Sequence, residues 1–304
     1  MSLIYGSSHG SPSMKEVVCQ IKVLEGTRLR SIYIMILIKP SSTMRVFSAL
    51  IILSLFLVVK NTYAQAILTG TTVVAVRTKT EVVVGADSKM VAIGDNLEDA
   101  GQTCKIIQVD NLFFAHARLI RDSWGSFSVP ETVLQARRKG GTILETANNF
   151  EKMIVPSLTK ILMQMKREHP AFFQKHYEGG SAVDIVFFGI EKDVPVLYMR
   201  YFVASSSADG SVSIEVRRLN CPGDCPGGLT YAFLGEQSAL NRFLDANPHY
   251  SRNGWIPTIN KLIEVEASDK PDFVSLPVDI LRVDKNGAEW LQKKPQCPEI
   301  KKYR

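Results

Sequence analysis

Three reactive side chains stand at spacings that could serve one reaction: a hydroxyl at Thr71, a carboxylate at Asp87 and an ammonium at Lys105. Thr71 follows Gly70 and begins Thr71-Thr72-Val73-Val74. Asp87 ends Gly85-Ala86-Asp87-Ser88-Lys89, and Lys105 lies in Gly101-Gln102-Thr103-Cys104-Lys105-Ile106-Ile107. A threonine hydroxyl is a weak nucleophile until a base takes its proton, and a free α-amine on the same residue can do that. Such an amine has a reference pKa of about 8, so a useful fraction is neutral near pH 7. An acid and a cation close by then hold the group and tune it. Taken singly the fragments are ordinary, since a Gly-Thr pair opens many strands and an Asp-Ser pair often caps a turn. Their order and spacing set them apart.

The elements that must position these groups can be read around them. Residues 71–77 and 81–85 are β-branched runs separated by a short polar segment, which predicts a tight antiparallel hairpin. With its Gly70-Thr71-Thr72 entry and its Asp87-Ser88-Lys89 exit, the stretch 68–89 resembles the start of a proteasome β-type subunit, a member of the N-terminal-nucleophile hydrolases. That resemblance implies cleavage of the Gly70-Thr71 bond, after which Thr71 is both nucleophile and base. It also places Asp87 and Lys105 at the family's Asp and Lys, although the loop before Lys105 is slightly longer than the family pattern. An α+β fold is implied, a four-layer αββα sandwich of two antiparallel sheets between helical layers. So is hydrolysis of a peptide or small amide through an acyl-enzyme, with no cofactor and no metal, in a homo-oligomer packed through helical faces.

Two departures from the family pattern keep a second reading open. After Ala117 the family usually has a Gly whose N-H helps bind an oxyanion; here Arg118 keeps an N-H to donate, but its side chain needs room where a substrate approaches. Glu236 stands where a supporting Ser is common. Asp269, Asp272 and Ser275 fall near the family's Asp and Ser-Gly positions without a clean register, so none is assigned. The alternative is therefore a catalytically inactive proteasome-like structural or binding subunit, with Thr71 an ordinary residue inside the chain.

Composition bounds the remaining classes. The chain has 304 residues, 45% of them hydrophobic and 22% charged, which suits a folded globular protein with a sizeable core. The net charge of +6 sits mostly at the start, where residues 1–64 carry seven Lys/Arg against two Asp/Glu, leaving 29 basic and 28 acidic residues after them. A nearly neutral body gives no support for a nucleic-acid partner.

Residues 46–59 form an apolar run after Met44-Arg45 and before Lys60, and Ala64-Gln65-Ala66 offers a small-residue cleavage site, so 44–66 reads as a signal peptide. The expected organisation is a leader over 1–43 that is non-native or disordered, the signal peptide 44–66, a short pro-segment 67–70 and one domain over 71–304. Secretion, or export to a periplasm, follows from that reading. An uncleaved, membrane-anchoring leader is the alternative, although the run is shorter than the roughly 20 residues of a spanning helix.

Downstream, 106–117 reads as a hairpin turning at Asp110-Asn111, and 130–169 as two helices parted by Gly140-Gly141, with the Met residues filling a core. His169 and His176, with no Cys or acid at ligand spacing, read as surface or helix-end residues. Strands are expected over 182–190, 195–203 and 211–216, their continuous apolar character predicting burial on both faces. A strand-loop-helix over 231–246, a helix over 256–267 and a hairpin turning at 284–287 complete the chain. Without the leader's Cys19, four cysteines remain: Cys104, Cys221, Cys225 and Cys297. An even set suits disulfides in an oxidising compartment. Cys221 and Cys225 could close a small loop, and Cys104 could instead be a free buried thiol.

Overall fold

The computed structural model describes residues 15–25, 28–38, 67–93, 97–122, 125–207, 209–225, 227–250 and 254–301. Two compact units divide at Tyr63 and Ala64. In the first, β1 (Lys15–Glu25) and β2 (Arg28–Ile38) pair antiparallel in unbroken register. The strands fall within 1–43, the span expected from sequence to be a non-native or disordered leader. Residues 44–66, expected from sequence to be a signal peptide, lie outside the described residues, among which no helix is long and apolar enough to cross a membrane.

The second unit is an α+β fold of antiparallel sheets and helices. Its chain order begins with β3 (Ile67–Thr69), β4 (Thr72–Arg77), β5 (Glu81–Ala86), β6 (Lys89–Ile93), β7 (Leu97–Gln102), β8 (Ile106–Val109) and β9 (Leu112–Arg121). Three helices follow, α1 (Val129–Arg138), α2 (Ile143–Glu168) and α3 (Pro170–His176). Then come β10 (Ser181–Glu191), β11 (Val194–Ser206), β12 (Val212–Cys221) and β13 (Thr230–Gly235). Helices α4 (Ser238–Ala246) and α5 (Trp255–Asp269) precede the closing hairpin of β14 (Asp279–Asp284) and β15 (Gly287–Gln292). The eight-stranded sheet runs β12-β11-β10-β9-β3-β6-β7, with β8 also paired to β9, and the five-stranded sheet runs β13-β4-β5-β14-β15.

Local chemistry explains the elements that frame the site. Val73 to Val76 alternate faces, as a strand requires, but every residue of β4 is buried. Val73 and Ala75 pack in a cluster with Phe113, Ala115, Val186 and Met199 of the other sheet. Val74 and Val76 face Leu240, Ile259, Leu262 and Ile263 of α4 and α5. A third cluster joins α1 and α2, through Val133, Ala147, Phe150 and Leu158, to Phe114 and Phe187. The long helix starts at a capping box, Thr142 and Glu145 exchanging side-chain and backbone bonds. Before it, Gly140 and Gly141 have positive φ, which ends α1 where the glycine pair predicts a break.

Some expectations need correction. β10 and β11 are buried on both faces, but β12, the edge strand, is buried only at Val212 and Cys221, and from Ser213 to Arg217 it alternates between exposed and partly buried positions, because charged and small polar residues interrupt its apolar ones. Met165 fills the core as expected, whereas Met163 is 48% exposed. Cys104 is not a free thiol: it is joined to Cys297 across 193 residues, and Cys221 is joined to Cys225. His169 and His176 do lie at helix ends, the first between α2 and α3 and the second as the last residue of α3.

Candidate active site

Thr71 lies between β3 and β4, Asp87 just after β5 and Lys105 just before β8, so three strand ends converge on one point. All three residues are buried. Lys105 Nζ donates to Thr71 Oγ1 at 2.7 Å, to Asp87 Oδ1 at 2.7 Å and to the Gly70 carbonyl at 3.1 Å. The sequence-predicted trio is therefore one connected cluster, with the ammonium at its centre.

Asp87 is held by more than its ion pair. Its Oδ1 also accepts from the Thr72 N-H at 3.1 Å, while Oδ2 accepts from the Lys89 N-H at 3.0 Å and the Ser275 N-H at 3.2 Å. Burial pushes the Asp87 carboxyl up from its ordinary value, and Lys105 pulls against that. Burial likewise drives the Lys105 ammonium down to about 8, the Asp87 carboxylate restoring part of the loss. Ser275, unassigned from sequence, thus serves the site through its backbone N-H. Asp269 is away on the helix surface with Arg242, and Asp272 is exposed.

Two glycines are needed for the chain to pass this point. A Cβ on Gly70 would lie 2.4 Å from Phe273 Cα, so nothing larger fits beside that backbone. Gly235 has φ +78°, and a Cβ there would lie 1.7 Å from the Thr71 carbonyl oxygen. The same carbonyl accepts from the Glu236 N-H at 2.9 Å, and Thr72 Oγ1 donates to the Glu236 carbonyl at 2.9 Å. Gly235→Ala is expected to cost about 1–3 kcal/mol in stability, measured by urea unfolding, because strain and overlap fall on one residue.

Arg118 and Glu236, which the sequence singles out, lie near each other. Arg118 takes φ +70°, a left-handed conformation natural to glycine and costing other residues about 1–2 kcal/mol. Its Nε donates to Asp184 Oδ2 at 3.1 Å, another guanidinium nitrogen donates to the Gly235 carbonyl at 3.2 Å, and Glu236 Oε1 lies 3.8 Å from the guanidinium. Asp184 is buried and also accepts from the Gly235 N-H at 2.9 Å, which links β10 to β13.

Sequence reasoning missed a second buried ion pair. Lys294 Nζ lies 2.6 Å from Asp279 Oδ2 and donates to the carbonyls of Thr103 at 3.0 Å and Asp87 at 3.5 Å. The signal available was a lysine three residues before Cys297, in a segment that reads only as a tail. Cys104, Asp279 and Cys297 have potential ligand atoms within 4.8 Å of one another, but the two sulfurs are joined and Lys294 engages the carboxylate.

His116 was also missed. It is buried on β9 with neither ring nitrogen hydrogen-bonded to protein, and burial drives its pKa down to about 3, with the Lys105 charge acting the same way. The folded protein therefore keeps His116 neutral while the unfolded chain takes up a proton below about pH 6.5. Its contribution to stability is complete above that pH and is lost as pH falls towards 3, by about 2 kcal/mol at pH 5. His116→Phe is expected to remove that part of the acid sensitivity, as read from unfolding midpoints at pH 7 and pH 5.

These features define a class: an α+β protein in which strand ends from both sheets enclose a buried threonine-lysine-aspartate cluster. The chain matches no family profile, and no curated protein matches it. Among solved structures it is similar to an Anbu (Gly-1) mutant from Hyphomicrobium sp. strain MC1, at 15% identity and TM-score 0.43, over 74% of this chain and 86% of that one.

Proposed function

We propose that this chain is a proteasome-like threonine-type hydrolase, a four-layer αββα sandwich that cuts amide or peptide bonds after its own Gly70-Thr71 bond is severed. The observation that carries the proposal is the 2.7 Å contact between Thr71 Oγ1 and Lys105 Nζ, with Asp87 2.7 Å beyond. A cation in that position favours an alkoxide on Thr71, and the amine released at Thr71 would be the base. Three apolar clusters, one shared by the sheets and one between each sheet and its helices, support the layering.

The segment ahead of Thr71 supports a peptide as substrate. β3 pairs antiparallel with β6 through Leu68 and Val91, and with β9 through Thr69 and Arg118. Removing it would leave two strand edges facing one slot, which an extended peptide can fill by the same backbone bonds. Residues 67–70 are thus the pro-segment of this reading and the first occupant of the slot. Two disulfides are consistent with an exported protein, which is the compartment we assign. A homo-oligomer belongs to the same reading, with Leu134 of α1 and Met163 of α2 as exposed apolar side chains for it to cover.

An inert shell or binding subunit is favoured by one observation: β3 is an inner strand of its sheet, so its loss would cost two sets of strand pairing. Turnover of a fluorogenic peptide library by the mature protein, absent in Thr71→Ala, would support the hydrolase. No turnover together with an uncut Gly70-Thr71 bond would support the inert subunit.

A further inference from the structure

The tail after β15 reaches back beneath the cluster. Its Lys294 is as buried as Lys105, with 1% of its surface exposed, and the two lysines approach the same strand ends from different parts of the chain. Lys294 touches the carbonyl of Asp87 itself and that of Thr103, two residues before Lys105. Asp279 binds this lysine twice, through Oδ2 to Nζ at 2.6 Å and through Oδ1 to the Lys294 N-H at 2.8 Å. One turn on, Cys297 donates its N-H to the Lys294 carbonyl at 3.0 Å and is bonded to Cys104, the neighbour of Lys105. A buried charge is costly to keep without a partner, and a surface tail could end without one.

We infer that Lys294 and Asp279 form a positioning pair for Lys105: the disulfide-tied tail closes the cluster from behind and fixes the main chain that places the Lys105 ammonium against Asp87. The inference deepens the hydrolase reading and rests on it for its functional meaning. Lys294 does not touch Thr71 and is not a catalytic residue. It acts through the main chain that carries Asp87 and Lys105, and through its charge. The groups facing Lys105 are Asp87 at 2.7 Å and, acting at longer range, Lys294, Asp279 and His116. Of these, Lys294 disfavours the Lys105 charge and Asp279 favours it.

Those opposite signs give a test that a purely structural role would not pass. The Lys105 titration can be followed by NMR of the intact, oxidised protein labelled at lysine Cε, the signal being assigned by its loss in Lys105→Met. Lys294→Met is expected to shift the Lys105 midpoint upward, and Asp279→Asn to shift it downward. Equal midpoints in all three proteins, or shifts of one sign in both variants, overturn the inference. Should Lys294→Met fail to fold, Asp279→Asn decides alone, and an unchanged or raised midpoint there overturns it. Because the readout is a titration rather than turnover, it holds whether or not Gly70-Thr71 is cut. Mass spectrometry of the same sample reports that bond, so failure of the hydrolase reading is seen separately.

Discussion

Lys105→Met is expected to destabilise the protein by about 3–5 kcal/mol, because it leaves Asp87 buried with its cation gone. Hydrogen bonds from Thr72, Lys89 and Ser275 still reach the carboxylate but do not replace a full charge. The loss is largest near neutral pH and shrinks on acidification, since a protonated Asp87 no longer needs a partner. A second substitution, Asp87→Asn in the Lys105→Met background, removes the stranded charge and recovers part of the stability. Activity behaves differently: with no ammonium beside Thr71 Oγ1, hydrolysis falls about 10²–10³-fold in the single variant and stays down in the double one. Urea titrations at pH 7 and pH 5, run beside a peptide-hydrolysis assay, separate the two effects. Recovery of activity together with stability in the double variant would contradict the role given to Lys105.

The disulfides should differ sharply in what they contribute. Closing a loop of 193 residues lowers the entropy of the unfolded chain by an amount equivalent to about 5 kcal/mol, whereas the four-residue separation of Cys221 and Cys225 gives about 2 kcal/mol. Cys297→Ser is therefore expected to lower Tm by about 10 °C or more, and Cys225→Ser by much less. Calorimetry under non-reducing conditions checks the order. The longer bridge also ties the tail to the residue beside Lys105, so its loss should reduce hydrolysis as well, while loss of the short loop should not.

Much of the site could be read before any fold was known, for a physical reason. Thr71, Asp87 and Lys105 each sit at a strand end, and the β-branched runs of β4 and β5 that position two of them carry a strong local signal. The helix break at Gly140-Gly141 and the turn at Asp110-Asn111 were legible in the same way, since glycine pairs and Asp-Asn turns act locally. What stayed hidden depends on distant pairing. β7, with the sequence Leu97-Glu98-Asp99-Ala100-Gly101-Gln102, has no apolar period and is a strand because β6 lies beside it. The three residues of β3 are too few for any periodicity and take their conformation from two neighbours. β1 and β2 show the same limit, their charged and apolar residues following no clean alternation.

The residues around the trio divide along that line too. Arg118 and Glu236 are conspicuous singly, but nothing in the sequence says that they lie near each other or that Arg118 binds Asp184 and the Gly235 carbonyl. Lys294 and Asp279 are 15 residues apart on either side of a hairpin, and a lysine in a polar tail reads as solvent-exposed. Its burial follows from the bridge between Cys104 and Cys297, a pairing that four cysteines do not specify. His116, one polar residue in an apolar strand, gives a visible signal whose meaning appears only with its two unpartnered nitrogens.

Amino-terminal sequencing with intact mass of the natively processed protein is the most direct test of the central claim. The account predicts a chain that begins at Thr71, with Ile67–Thr69 and Gly70 gone from its covalent structure. A folded protein that hydrolyses peptides while its Gly70-Thr71 bond is intact would contradict it.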